Sequence, residues 1–364
     1  KMNSTAFLRC LRRLFCAIFV LFFVLIALEW TLYYEITQTL QYWNDSEQEI
    51  RAFSSYENSS CKEEPMQFIG YDQNSVSTGK TFSCGLKSYI DKWKISDKFT
   101  YKLKPINASE VVFVTYASSN HFHESRDAIV SLRSTYRNKI IFYDLGLSKL
   151  EIAELSNVCN LEVRKFDSEK YPRFVSRLKG YHFKAIIMAK SYSEFKSFWI
   201  MDSSVRFSSN FSKLQTFYTE VSRGRIEPLV LRGPTGHSIL SATHPGMYEY
   251  LPINVSRAVE TTMLVATFMF VTHSELSREA VKWNVLCGMT KDCFSPPGSS
   301  LYCNFDKGRK LYAKCNRYDQ SSINIIMESL MERDGWKKRN RDDDSEISSI
   351  VSIRRDGSNT KLSI

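Results

Sequence analysis

In Ser197-Phe198-Trp199-Ile200-Met201-Asp202-Ser203-Ser204 an apolar run breaks abruptly on a carboxylate and two hydroxyls. A run this short with a polar boundary fits a strand buried on both faces, the pattern of a parallel sheet. Toward the N-terminus the theme recurs: residues 111–116 read VVFVTY, residues 140–143 read IIFY and end in Asp144-Leu145-Gly146, and residues 161–166 form a shorter third run. Helical segments are expected between them. Residues 123–136 place Ala128, Ile129 and Leu132 at helical spacing, residues 181–195 follow suit, and residues 149–157 begin after Ser148 with Glu151 as the capping-box acid. Alternation of this kind predicts an α/β fold with a mostly parallel sheet and helices on both faces. Residues 105–331 are enough for one such domain.

Further out, residues 14–28 read LFCAIFVLFFVLIAL, with Arg9, Arg12 and Arg13 before them and Glu29 and Glu35 after. A spanning helix needs roughly 20 apolar residues, which the run reaches only if residues 30–34 lie in the far interface. The positive-inside rule keeps the arginines cytosolic, so we expect a single transmembrane signal anchor over residues 14–34 and a cytosolic tail over 1–13. The alternative is a cleaved signal peptide, but no clean small-x-small site follows, because Ala27 is succeeded by Leu28, Glu29 and Trp30. Residues 35–104 then read as a partly ordered lumenal stem, whose Phe68, Tyr71, Phe82, Tyr89 and Trp93 give it something to pack. Residues 332–364 read as a charged loop followed by a short strand at 347–353.

A secretory address agrees with Asn44, Asn58, Asn107, Asn210 and Asn254, each opening an Asn-x-Ser sequon without proline. Cysteines 61, 84, 159, 287, 293, 303 and 315 would face an oxidising lumen. The spacing of Cys287, Cys293, Cys303 and Cys315 lacks the close pairs that clamp zinc, so disulfides are expected. The odd number leaves a thiol for a disulfide-linked homodimer. Without the four cytosolic cations the formal +10 falls to about +6. Basic Lys337-Lys338-Arg339 is balanced by Asp342-Asp343-Asp344, which argues against nucleic-acid binding.

Ligands of open α/β sheets sit at the carboxyl ends of strands, so polar residues there are the first candidates for chemistry. Thr115 and Tyr116 offer a hydroxyl and an aromatic face to a base, and Asp144 a carboxylate for a ring N–H or a ribose hydroxyl. Asp202, with Ser204 close by, is suited to a divalent cation. The competing reading of Asp202 is a cap on the next turn.

These three strand ends resemble the nucleotide-diphospho-sugar transferases of the GT-A fold. Asp202-Ser203-Ser204 stands where that family has its D-x-D motif, with the second carboxylate missing. Tyr143-Asp144-Leu145-Gly146-Leu147 is similar to a YDLGL stretch of such families, and Arg317-Tyr318-Asp319-Gln320-Ser321-Ser322-Ile323-Asn324 to their late D-Q-x-x-x-N motif. The likeness spans residues 111–330. Thr243-His244-Pro245 and Cys315-x-Arg317-Tyr318-Asp319-Gln320 resemble most a nematode-expanded family of unknown function. The resemblance implies a Golgi membrane glycosyltransferase of type II topology, taking a sugar nucleotide and a glycan or glycoprotein acceptor, with Mn²⁺ held by Asp202 and a distant ligand such as His244. Sugar transfer needs the diphosphate charge stabilised by a metal or by Lys and Arg, which nominates Lys184. Asp319 would orient acceptor or donor, or cap its helix. The missing carboxylate sustains a rival reading, a non-catalytic relative that binds glycan or a partner protein.

Overall fold

The computed structural model describes residues 26–30, 65–72, 75–208, 211–336 and 350–355. Residues 26–30 are helical, and the rest of the expected membrane anchor lies outside the described residues. Among the described residues no helix is long and apolar enough to cross a membrane.

The described residues from 65 onward form one compact unit. It opens with strands β1 (Met66–Asp72) and β2 (Ser75–Phe82) and helix α1 (Lys87–Lys92), followed by β3 (Val112–Ala117), α2 (Phe122–Arg133), β4 (Ile140–Asp144), α3 (Lys149–Ser156) and β5 (Leu161–Lys165). Next come α4 (His182–Glu194), β6 (Ser197–Met201), β7 (Val205–Phe207), α5 (Phe211–Ser222), β8 (Leu229–Ser238), α6 (Val255–Glu260) and β9 (Thr262–Thr272). The unit closes with α7 (Glu275–Gly288), α8 (Lys291–Phe294), α9 (Asp319–Arg333) and β10 (Val351–Ile353).

Six strands form the central sheet in the order β5-β4-β3-β6-β9-β8. The first four are parallel to one another, and β9 runs antiparallel to both of its neighbours. Side-chain alternation explains why the apolar runs are continuous. Val112, Val114, Tyr116, Ile141, Tyr143, Phe198 and Ile200 enter one core, with α4, α7 and α9. Phe113, Ile140, Phe142, Trp199 and Met201 enter the other, with α2, α3 and α5. In the second core Trp199 stacks on Phe268 with ring centroids 4.1 Å apart, and its indole N–H donates to the Tyr218 hydroxyl at 2.8 Å. The capping box at α3 forms as expected, Ser148 accepting from the Glu151 N–H while Glu151 accepts from the Ser148 N–H.

The expected division at residue 104 is not where the compact unit begins. Phe68, Phe82, Leu86, Ile90 and Trp93 are buried in the same core as β3 and α4, so the described residues of the segment read as stem, from 65 onward, are part of the α/β unit. The β1–β2 hairpin lies so close to residues 250–252 that a Cβ on Gly70 or Gly79 would meet backbone oxygens of Pro252 and Tyr250 at 2.2 and 2.1 Å. At the other end of the chain the expected late strand forms as β10, paired antiparallel with β7. Its continuation carries the Arg354 N–H to the Ser204 carbonyl, 2.8 Å away.

Candidate functional site

The chain moves outward from β3 through β4 to β5, then returns to lay β6 on the other side of β3. Reversal of strand order opens a crevice at the carboxyl ends of β3 and β6, the position where open α/β sheets bind ligands. Register sets the residues there: Thr115 lies opposite Met201, so Tyr116 ends level with Asp202, and Ala117 lies opposite Asp144.

Asp202 is the centre of what this register assembles. Its Oδ1 accepts a hydrogen bond from the Tyr116 hydroxyl, and the Lys184 ammonium reaches Oδ1 at 2.9 Å and Oδ2 at 3.1 Å. Lys184 also meets Asp319 Oδ2 at 3.1 Å, so one ammonium bridges two carboxylates. It lies over the rings of Tyr181, 5.1 Å from its centroid, and Tyr116, at 5.6 Å. Of the three charged side chains Asp202 is the most open, 22% exposed against 9% for Lys184 and 12% for Asp319. The trio therefore has one side turned to solvent.

The electrostatics follow from burial and pairing. Burial works against the charge on Lys184, but Asp202 and Asp319 outweigh it and hold the ammonium well above the usual lysine range. Burial lifts the Asp319 carboxyl, with Asp202 adding to the rise against the pull of Lys184. Burial first and the Asp202 charge second push the Tyr116 phenol far up, so it remains a donor.

Two helices point their N-termini at this cluster. Lys184 is in the first turn of α4 and Asp319 is the first residue of α9, not the cap that the alternative reading of the sequence would make it. The caps are Tyr181 and Tyr318, both at positive φ (57° and 46°), neither supplying a side-chain hydrogen bond to its helix. Their rings lie 5.8 Å apart. A non-glycine residue at positive φ costs of order 1–3 kcal/mol, and such strain gathers at functional sites. Nothing local in the sequence announces these two backbone conformations.

Other expected site residues are spent differently. Thr115 is fully buried, its Oγ1 without a partner among the described residues, and it does not line the crevice. Alternation puts it on the opposite face of β3 from Tyr116. Asp144 Oδ1 accepts from the backbone N–H of Gly146 at 2.7 Å and Leu147 at 2.6 Å, closing the turn after β4. Ser204 is buried and contributes its carbonyl to Arg354, while Ser203 Oγ donates to Glu124 at 2.6 Å. His244 Nδ1 accepts from the Gly246 N–H at 3.1 Å and so caps the short turn at residues 245–249.

This donor set does not fit a divalent ion. Both Asp202 oxygens already carry Lys184 or Tyr116, and the second carboxylate in reach, Asp319, faces the same ammonium. Among the described residues no three His, Cys, Asp or Glu side chains converge on a point a metal could fill. A fixed ammonium and a dication would repel at the same carboxylates.

The cysteines expected to pair do so, as Cys287–Cys293 and Cys303–Cys315, the second stapling the segment that leads into Arg317 and Asp319. Cys84 is disulfide-bonded, and Cys159 is free and exposed. Of the sequons, Asn107 and Asn254 are exposed, and each accepts a backbone N–H through its side chain. Asn44, Asn58 and Asn210 lie outside the described residues.

Residues 59–189 match a family profile described as a protein of unknown function, DUF1647. No curated protein sequence matches the chain. Among solved structures the chain is similar to the galactosyltransferase LgtC in complex with donor and acceptor sugar analogues. The identity is 11%, covering 60% of this chain and 70% of that one, at a TM-score of 0.37. An active-site mutant of LgtC aligns at 12% identity over the same shares with a TM-score of 0.39. The bifunctional glycosyltransferase WbbM aligns at 12% identity over 63% of this chain and 39% of its own, with a TM-score of 0.37.

Proposed function

We propose that this chain transfers a sugar from a nucleotide diphosphate donor to a glycan or glycoprotein acceptor, as a lumenal enzyme anchored by residues 14–34 in the Golgi membrane. The observation that carries the reading is the position of Asp202. It is a partly open carboxylate, held by Tyr116 and Lys184, at the switch point between β3 and β6 where two helix N-termini converge.

Each part has a role in such a reaction. Helix N-termini suit the phosphates of the donor, because their free N–H groups and dipoles favour negative charge. Asp202, fixed on its inner side, presents its open side to donor hydroxyls. Lys184 keeps the two carboxylates from repelling each other and preorganises the pocket, so that no rearrangement is needed when charge develops on the leaving diphosphate. Asp319, at the entrance of α9, orients the acceptor or the transferred sugar. Cys159 supplies the thiol for a disulfide-linked homodimer.

The test is binding and transfer by the full-length chain against a panel of sugar nucleotides. Asp202→Asn keeps the shape and removes the charge, while Asp319 remains for Lys184. It should abolish donor binding and leave the far-ultraviolet circular dichroism unchanged. A parent chain that binds no member of the panel, or an Asp202→Asn chain that binds as well as the parent, defeats the reading.

A further inference from the structure

We infer that the donor diphosphate is held without a divalent ion, by the guanidinium groups of Arg317 and Arg355, with Lys184 in the place where a metal would bridge the two carboxylates. The inference deepens the glycosyl-transfer reading and rests on it for the identity of the ligand.

Charge decides the argument. Asp202, Asp319 and Lys184 together are at best neutral and otherwise negative, and Lys184 is already shared between two carboxylates, so the trio alone repels an anion. A diphosphate must find cations elsewhere. Arg317 lies two residues before Asp319, its backbone pinned to the Ala242 carbonyl at 3.0 Å and to Ser321 Oγ at 3.2 Å. Arg355 lies on the continuation of β10, next to the Arg354 N–H that binds the Ser204 carbonyl. Among the described residues no carboxylate forms an ion pair with Arg317 or Arg355. Arg164, Arg257, Arg278 and Arg333, by contrast, all meet acids.

The two arginines also feel each other. Burial and then the like charge of Arg355 lower the Arg317 pKa, with only partial relief from Tyr181 and Asp319. Two guanidiniums that repel each other, carried by the segments that lead into Asp319 and away from the Ser204 carbonyl and without an ion pair among the described residues, suit a multivalent anion, and planar guanidinium forks match phosphate oxygens bidentately. With both included the cluster becomes net cationic, as a diphosphate requires. No bond is made or broken in this step.

Calorimetric titration of the full-length chain with inorganic pyrophosphate and with sugar nucleotides, in EDTA and in Mn²⁺, tests the inference. Affinity in EDTA should match that in Mn²⁺ within about twofold. Arg355→Ala, an exposed change that the fold tolerates, should weaken pyrophosphate binding about tenfold, Arg317→Ala as much or more, and Arg317→Lys should restore part of the loss. Binding that appears only with Mn²⁺, or that ignores both arginine substitutions, overturns the inference while the transfer reading stands. Pyrophosphate bound in EDTA through Arg317 and Arg355 with no sugar nucleotide bound sinks the transfer reading and keeps the anion site. Absence of any binding defeats both.

Discussion

Helix α9 carries a buried charge cluster at each end, and the two are built differently. At its N-terminus Asp319 shares one ammonium with Asp202. At its C-terminal end Arg257 of α6 donates through Nε to Glu328 at 2.7 Å and through a terminal nitrogen to Glu332 at 2.6 Å, with Asp72 of the β1–β2 hairpin 3.6 Å away. Thr261 adds a hydrogen bond to Glu328, whose side chain is 1% exposed. The guanidinium fork gives each acid its own donors and joins three elements in a closed clamp. The lysine is a point charge between acids, one of which opens to solvent, flanked by tyrosines at positive φ. Burial of charge by itself therefore does not mark function. What marks it here is an open side and, among the described residues, arginines nearby in the chain that form no ion pair with an acid.

The contrast breaks first on stability. Removing Glu328 leaves Arg257 only the more open acids Glu332 and Asp72 and leaves the Thr261 hydroxyl without its acceptor, at a cost of about 1–3 kcal/mol. Glu328→Ala should lower the denaturant midpoint accordingly, without any selective effect on donor affinity in chains that remain folded. Should Glu328→Ala instead unfold as the parent does while losing ligand, the two ends of α9 would have been assigned the wrong way round.

A pH series sharpens the same contrast. His182 begins α4 beside the Lys184 cluster, fully enclosed, with Nδ1 against the Gly288 carbonyl at 2.7 Å and Nε2 against Ser295 Oγ at 2.9 Å. Burial lowers its pKa from 6.5 to about 4. The unfolded chain thus binds the proton more readily, so the stabilising contribution is complete above pH 6.5, drains away as pH falls to about 4, and changes no further below. A shift of that size corresponds to roughly 3 kcal/mol. His182→Gln lowers stability at neutral pH, yet the difference between parent and variant should shrink by that amount across the window. A difference that stays constant down through the whole window would show that His182 titrates in the folded chain with the same pKa as in the unfolded one.

How much of this is legible in the sequence depends on whether local pattern or long-range placement encodes it. The four parallel strands, the capping box at Ser148 and the disulfide-forming cysteines are local, and they read directly. Asp202, Lys184 and Asp319 are each nominated by strand ends and motifs. Their meeting at one ammonium depends on packing of α4 and α9 that no spacing encodes. The segment before residue 104 looks like a stem because β1 and β2 lack a continuous apolar run, and they dock through glycines against backbone. His244 looks like a ligand because a histidine that caps its own turn is, in sequence, like any loop histidine. Arg257–Glu328 does leave a trace, since Glu328 interrupts the apolar run Ile325-Ile326-Met327 and Leu330-Met331. Arg355 leaves none, because only the pairing of β10 with β7 brings its strand to Ser204.

The smallest expected effect concerns Asp144, an aspartate at a strand end like Asp202 but turned to backbone instead of lysine. Its Oδ1 already accepts two N–H groups, and an asparagine carbonyl can accept the same two. Exchanging charge-assisted for neutral hydrogen bonds costs about 1 kcal/mol, so Asp144→Asn should lower stability by no more than that. Asp144→Ala should cost more, because it orphans the Gly146 and Leu147 donors. Donor affinity of Asp144→Asn should stay within about twofold of the parent, in contrast to its loss in Asp202→Asn. A tenfold fall would mean that the remaining carboxylate oxygen of Asp144 touches the nucleotide, and the turn-forming aspartate would then join Asp202 on the functional side of the comparison.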